Sequence, residues 1–186
     1  MNKDKNWKVL EETDVSPSKW FPLFKHKVML PNKKIINDYY ISKLGDVAMI
    51  VPITIDGEFV FVRQYKHGVG GVIMEFPAGR IGKNSSEKAA RMELKEETGY
   101  IAKKLEYLGF VYLTPSKDTS KMNGFLAVGL STPGKQNLDK NENIEVIRIP
   151  ANEVDTMVNR GGIIASDTLA LLYLTKLRFP ELFEKK

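Results

Sequence analysis

Polar and apolar residues take turns through Phe24-Lys25-His26-Lys27-Val28-Met29-Leu30, the two-residue period of a half-buried strand. Pro31-Asn32-Lys33-Lys34 then supplies a turn into a second strand over Ile35–Ile41. Upstream, Trp7, Val9, Leu10 and Trp20-Phe21-Pro22-Leu23-Phe24 are broken by Ser16-Pro17-Ser18, so residues 1–45 read as an N-terminal β arm ahead of a main domain over residues 46–186. Aromatic surface so dense on a short segment calls for cover, by the main body or by a second subunit.

Val47–Ile55 is a nearly continuous apolar run of the kind a buried strand carries. Asp56-Gly57 is a preferred pair for a two-residue type I′ turn, and Glu58–Tyr65 alternates behind it, which predicts a hairpin. Gly68, Gly70 and Gly71 precede a short strand at Val72–Phe76 rather than opening a helix, so they read as a turn and not as a dinucleotide loop. From Asn84 the period changes. Asn84 and Glu87 are spaced as a capping box, Ala90 and Leu94 fall one helical turn apart as a buried face, and Gly99 stands where a helix ends in a left-handed conformation.

Strands follow over Leu105–Leu113, Phe125–Leu130 and Ile144–Ile149, separated by loops at 114–123 and 131–143. Two helices close the chain. Glu153–Arg160 ends at Gly161-Gly162, and Ser166–Arg178 takes Ser166 as its cap, with Leu169, Leu172, Tyr173 and Lys176 as its stripe and Leu169–Leu174 as core. Strands intermixed with helices place the chain in the α/β or α+β class.

Composition narrows the chemistry. The 186 residues are 42% hydrophobic, enough for one well-buried core, and contain no cysteine, which removes disulfides, thiolate metal sites and cysteine nucleophiles and leaves oxygen as the natural ligand set. No apolar run spans a bilayer and Met1-Asn2-Lys3-Asp4-Lys5 lacks a signal peptide's apolar stretch, so the expectation is a soluble, cytoplasmic protein without a membrane partner. A net charge of +5 suits an anionic partner. The lysines are scattered and no aromatic platform is interleaved with them, so they read as a solvated surface rather than a nucleic-acid face.

One stretch concentrates chemistry: Glu75-Phe76-Pro77-Ala78-Gly79, then Ala89-Ala90-Arg91-Met92-Glu93-Leu94-Lys95-Glu96-Glu97-Thr98-Gly99-Tyr100. At 3.6 residues per turn, Glu93, Glu96 and Glu97 share one helix stripe. Like charges at i,i+4 cost about 0.2–0.5 kcal/mol per pair on a bare helix. A hard divalent cation among the oxygens reverses that sign, so the stripe reads as a metal site.

These residues resemble the box of the Nudix hydrolases, G-x5-E-x7-R-E-U-x-E-E-x-G-U with U apolar, on which Glu93, Leu94, Glu96, Glu97, Gly99 and Tyr100 fall in register. Arg63-Gln64-Tyr65 upstream, the Glu-Phe-Pro-Ala-Gly lead-in and Asn141–Val146 downstream are similar to the ADP-sugar pyrophosphatase branch in particular. The resemblance implies an α/β/α sandwich with a mixed sheet behind the N-terminal arm. It also implies Mg²⁺- or Mn²⁺-dependent hydrolysis of a nucleoside diphosphate linked to another moiety, ADP-ribose or a nucleotide sugar above all. A homodimer paired through the arm is implied as well.

By the same resemblance, Glu93 and Glu97 are metal ligands, Glu96 assists them, Ala78 offers its carbonyl, and Glu142 reaches in from its loop as ligand and catalytic group. Arg63 is the substrate cation, a guanidinium suited to phosphate oxygens, and Glu75 bonds substrate or caps its loop. The box departs from the family pattern in places. Its first glutamate falls on Asn84, its arginine on Met92, and the downstream general base on Lys140, with Asp139 able to replace it if the loop shifts. Those departures motivate an alternative, a nucleotide-binding regulatory domain with weakened catalysis. His26 and His67 have no partner at metal-ligand spacing.

Overall fold

A computed structural model describes residues 5–184, which divide into two compact units: residues 5–45 with Tyr112–Ser120, and Asp46–Val111 with residues 121–184. In the first, β1 (Lys8–Asp14), β2 (Leu23–Met29) and β3 (Ile35–Ser42) form an antiparallel sheet in that order. The turn at residues 31–34 closes with Leu30 N–H on Lys34 O and a left-handed Lys33. β2 buries alternate residues, His26 and Val28, as its period demands. β1 is exposed along its whole length. The segment from 112 to 120 joins this unit through Tyr39 Oη on Ser116 O and Ser42 N–H on Lys117 O.

The second unit carries two sheets. One runs β10-β5-β6, built from β5 (Glu58–Lys66), β6 (Gly71–Glu75) and β10 (Glu145–Pro150), all antiparallel. The other runs β7-β4-β9-β8, built from β4 (Val47–Pro52), β7 (Ala78–Arg80), β8 (Ala102–Tyr112) and β9 (Lys121–Leu130), with β4 parallel to β9 and antiparallel to β7. The helices are α1 (Ser86–Thr98), α2 (Val154–Asn159) and α3 (Ser166–Arg178).

β4 explains the layering. Its odd residues Met49 and Val51 join a core with Phe59, Phe61, Phe76, Leu126 and Leu171, while Ala48 and Ile50 join a second core with Val60, Ala90, Leu94 and Phe125. A strand buried on both faces needs a continuous apolar run, and α1 and α3 cover opposite sides of it. The result is the expected α/β/α sandwich with mixed strand directions.

The hairpin expected over residues 47–65 does not form. β4 and β5 lie in different sheets and share one isolated bridge, Ile53 to Phe59. The turn between them is not type I′ either, because Asp56 keeps a negative φ and Gly57 alone is left-handed. Gly57 N–H bonds Thr54 O and Thr54 N–H bonds Glu58 O, a three-residue loop that lets the strands diverge. The helix ends also shift. Ser85, not Asn84, caps α1 by accepting from Lys88 N–H, and Gly99 closes it at φ 75° with its N–H on Lys95 O. Ser166 is the first residue of α3 rather than its cap. The buried face of α3 is Thr168, Leu171, Leu172 and Thr175, with Tyr173 64% exposed, because the two threonines bury hydroxyls that a hydrophobic count passes over.

Candidate active site

The segment leaving β6 is pinned residue by residue. Phe76 N–H donates to the buried Thr168 hydroxyl at 3.2 Å, Pro77 O accepts from Ile50 N–H at 2.9 Å, and Ala78 N–H donates to Glu97 Oε2 at 3.0 Å. Gly79 lies against the next turn of α1. A Cβ there would fall 1.9 Å from Glu93 Oε1, so a side chain at this position would displace the Glu93 carboxylate, while the backbone angle itself does not call for glycine.

Glu93, Glu96 and Glu97 line a cleft of about 440 Å³ with Gly79, Arg80, Asn137, Asp139 and Glu142. The loop after β9 reaches the cleft because Gly134 N–H bonds Gly99 O and Asn137 N–H bonds Glu96 O. A tight turn then folds Asp139 and Glu142 together, each backbone or side chain taking the other's N–H. This loop geometry presents Asp139 to the cleft, whereas Lys140 is not among its lining residues.

Electrostatics single out the two α1 residues. Burial pushes the Glu97 carboxyl up to about 8, with Glu93 and Glu142 adding to the rise, against the Ala78 N–H and the more distant Lys66 charge. Glu93 is raised to about 7, again chiefly by burial and then by Glu96, Glu142 and Asp139. Glu97 is 4% exposed. A buried carboxylate among carboxylates is costly unless a cation neutralises it.

Among the described residues no three acidic or histidine side chains are gathered tightly enough to hold an ion as they stand. Each has a local reason: Glu97 turns to Ala78 N–H and Glu142 to Asp139 N–H, while the charges repel. The donor set itself fits a hard divalent cation, all oxygen and gathered on one cleft, with Gly79 leaving room for the Glu93 carboxylate.

Other expected residues lie elsewhere. Arg63 is paired in register with Glu145 on the neighbouring strand, Nη2 to Oε2 at 2.5 Å, and shares a separate cavity with Met74, Ile147 and Met157. Its odd position on β5 puts it on the face opposite Val60 and α1. Glu75 pairs with Lys66 at 2.6 Å. Met92 is 40% exposed beside Asn84, and Arg91 bonds Glu87 and Ala102 O, so no arginine orients the α1 glutamates from the box position. Sequence reasoning passed over Arg80, Asn137 and Lys66. Arg80 directly follows the Glu-Phe-Pro-Ala-Gly run, which was a usable signal; Asn137 and Lys66 are placed by tertiary structure alone.

An α/β/α sandwich that sets a glutamate stripe against an acidic loop defines a hydrolase built around carboxylates. The NUDIX domain matches residues 43–168, and the chain belongs to the Nudix family of hydrolases. It is 31% identical over 170 residues to the ADP-ribose pyrophosphatase of Bacillus subtilis (strain 168), covering 90% of this chain and 91% of that one. It is also 31% identical over 152 residues to the methanol dehydrogenase activator of Bacillus methanolicus, covering 79% and 80%. A crystal structure of an ADP compounds hydrolase superposes with a TM-score of 0.84 at 25% identity, covering 95% of each chain. Divalent-metal dependence is general among Nudix hydrolases, and no helix among the described residues is long and apolar enough to cross a membrane.

Proposed function

We propose that the protein hydrolyses the diphosphate of ADP-ribose or a related nucleotide sugar, releasing a nucleoside monophosphate and a sugar phosphate, with Mg²⁺ or Mn²⁺ held by Glu93, Glu97 and Glu142 and by the Ala78 carbonyl. The observation that carries this reading is the pair of α1 glutamates, Glu97 buried and Glu93 half-buried, both raised above the ordinary carboxylate value and sharing one cleft with Asp139 and Glu142. The similarity to an ADP-ribose pyrophosphatase over nine-tenths of the chain supports the substrate class. A divalent cation bound there would neutralise the diphosphate and acidify an attacking water.

The chain's own residues do the rest. Ala78 N–H fixes one oxygen of Glu97, leaving the other for the ion. Glu96 supports its neighbours from the cleft wall, and Gly79 leaves space for the Glu93 carboxylate to lie against the backbone. Asp139 or Glu142 receives the water's proton, since both carboxylates open on the cleft. Arg80, on the cleft wall, is placed for substrate phosphate oxygens. Arg63 and Glu75 contribute to substrate binding only after exchanging their present partners, Glu145 and Lys66.

Incubation with ADP-ribose, other nucleotide sugars and dinucleotides across Mg²⁺ and Mn²⁺ concentrations tests the proposal, and turnover of none of them would refute it. A second reading, a nucleotide-binding regulatory domain, is favoured by Met92 and by the relative described as an activator. Tight nucleotide binding in calorimetry without hydrolysis would select it. The cytoplasm suits the cysteine-free composition, and the exposed Trp7, Trp20 and Phe21 of the arm suit a homodimer. A light-scattering mass near 21.1 kDa would count against the dimer.

A further inference from the structure

The loop that carries Asp139 and Glu142 has no regular secondary structure, yet its acids must face α1 at a fixed distance for a shared ion. Its base is closed by one side chain. The Gln136 amide nitrogen donates to Glu97 O at 2.6 Å and to Ile144 O at 3.2 Å. Glu97 O belongs to the last turn of α1, where carbonyls have no helical partner, and Gly99 has already turned the chain away. Ile144 is the residue at which the loop rejoins β10. One amide group thus ties the entry of the loop to its exit and both to the backbone of a proposed metal ligand.

We propose that Gln136 is a positioning residue, which sets the spacing between the α1 glutamates and the acids of the loop. Both partners are carbonyl oxygens, so the contact needs two donors on one atom, which the glutamine amide supplies and glutamate or leucine does not. Adjacent backbone bonds from Gly134 to Gly99 O and from Asn137 to Glu96 O lie on either side of Gln136, so its loss loosens the loop's closure at Ile144 and its hold on Glu97 together. The consequence for the ion rests on the hydrolase reading above, whereas the closure of the loop does not.

Two readouts separate these. In Gln136→Leu, amide exchange at Asn137 rises about tenfold, the equivalent of one net hydrogen bond. The Mn²⁺ concentration for half-maximal ADP-ribose turnover rises about tenfold, the effect typical of removing a group that orients a metal ligand. KM for ADP-ribose at saturating Mn²⁺ changes little. Gln136→Asn, which keeps an amide on a shorter stem, gives intermediate values and carries both readouts if the leucine variant does not fold. Unchanged exchange at Asn137, or a lowered melting temperature with an unchanged Mn²⁺ requirement, would overturn the proposal. Wild-type protein that turns over no substrate would overturn the hydrolase reading instead, with exchange at Asn137 then deciding the role of Gln136 by itself.

Discussion

α1 and α3 are both thirteen residues long, and each packs one face on the sandwich and buries hydroxyls with partners, Thr98 on α1 among them, yet α1 alone also buries a carboxylate. On α3 the buried threonines are satisfied: Thr168 Oγ1 accepts from Phe76 N–H and Thr175 Oγ1 donates to Leu171 O. On α1 the buried polar residue with the largest shift is Glu97, an acid with one backbone donor and two acidic neighbours. A neutral hydroxyl with a partner stabilises a fold cheaply; a carboxylate held among carboxylates does not. The helix that keeps such a group is the one on which chemistry is to be sought.

The largest expected effect comes from removing the acid that makes α1 unlike α3. Glu97→Gln keeps an acceptor for Ala78 N–H but loses the charge, so turnover falls by orders of magnitude while the metal-free protein melts higher above pH 8. Assays of AMP release and melting curves at pH 9 measure both, and a variant that is inactive and less stable would instead mark Glu97 as structural. Next in size is Gly79→Ala. Its Cβ meets Glu93 Oε1 at 1.9 Å, so the carboxylate must move, and a displacement of about 1 Å costs about 10²-fold in kcat. Unchanged kcat with unchanged folding would show that Glu93 is free to relocate.

The pH dependence has a definite sign. Both α1 glutamates have folded-state values above the ordinary carboxylate value of 4.5, Glu93 at about 7 and Glu97 at about 8. Their protonated forms are favoured on folding, so this contribution is whole below about pH 4.5 and is lost as pH rises through about 7 and 8. Groups shifted downward act at the acid end. Asp118 is one, where burial raises the carboxyl but the hydrogen bonds from Ser120 and Ser42 together outweigh it. Between about pH 4.5 and 8 metal-free protein loses melting temperature that Glu97→Gln in part retains, and saturating Mg²⁺ flattens the loss by binding the ionised folded form. A flat metal-free profile would contradict the burial of these charges.

On the α3 side the effects are ones of stability. Thr168→Val leaves Phe76 N–H buried without an acceptor and costs about 1–3 kcal/mol, read from chemical denaturation. The smallest effect is expected at Arg63→Ala, since an exposed pair such as that with Glu145 contributes under about 1 kcal/mol. With Arg63 on the face of β5 away from α1, kcat at saturating substrate stays near wild type. A large fall in kcat would show that Arg63 leaves Glu145 during the reaction.

The contrast also explains what could be read beforehand. The class of fold, the strands flanking Pro31–Lys34, the Gly99 stop and the α1 stripe follow from local periods and caps, and all are present. β1 left no periodic trace because both of its faces are exposed. The hairpin at Asp56-Gly57 failed because strand partners are chosen by burial on two faces, which adjacency in the chain does not encode. The α3 stripe was displaced by two buried threonines, one bonded 92 residues away in sequence at Phe76 and the other bonding back to Leu171 O within its own helix. Asp139 faces the cleft, where counting along the chain favoured Lys140, because the loop turns between Asp139 and Glu142.

The most direct measurement follows AMP released from ADP-ribose by wild type and Glu97→Gln, each with Mg²⁺ and with EDTA. The account predicts release by wild type with Mg²⁺ and by no other combination. Release that persists in EDTA, or in Glu97→Gln at the wild-type rate, would contradict it.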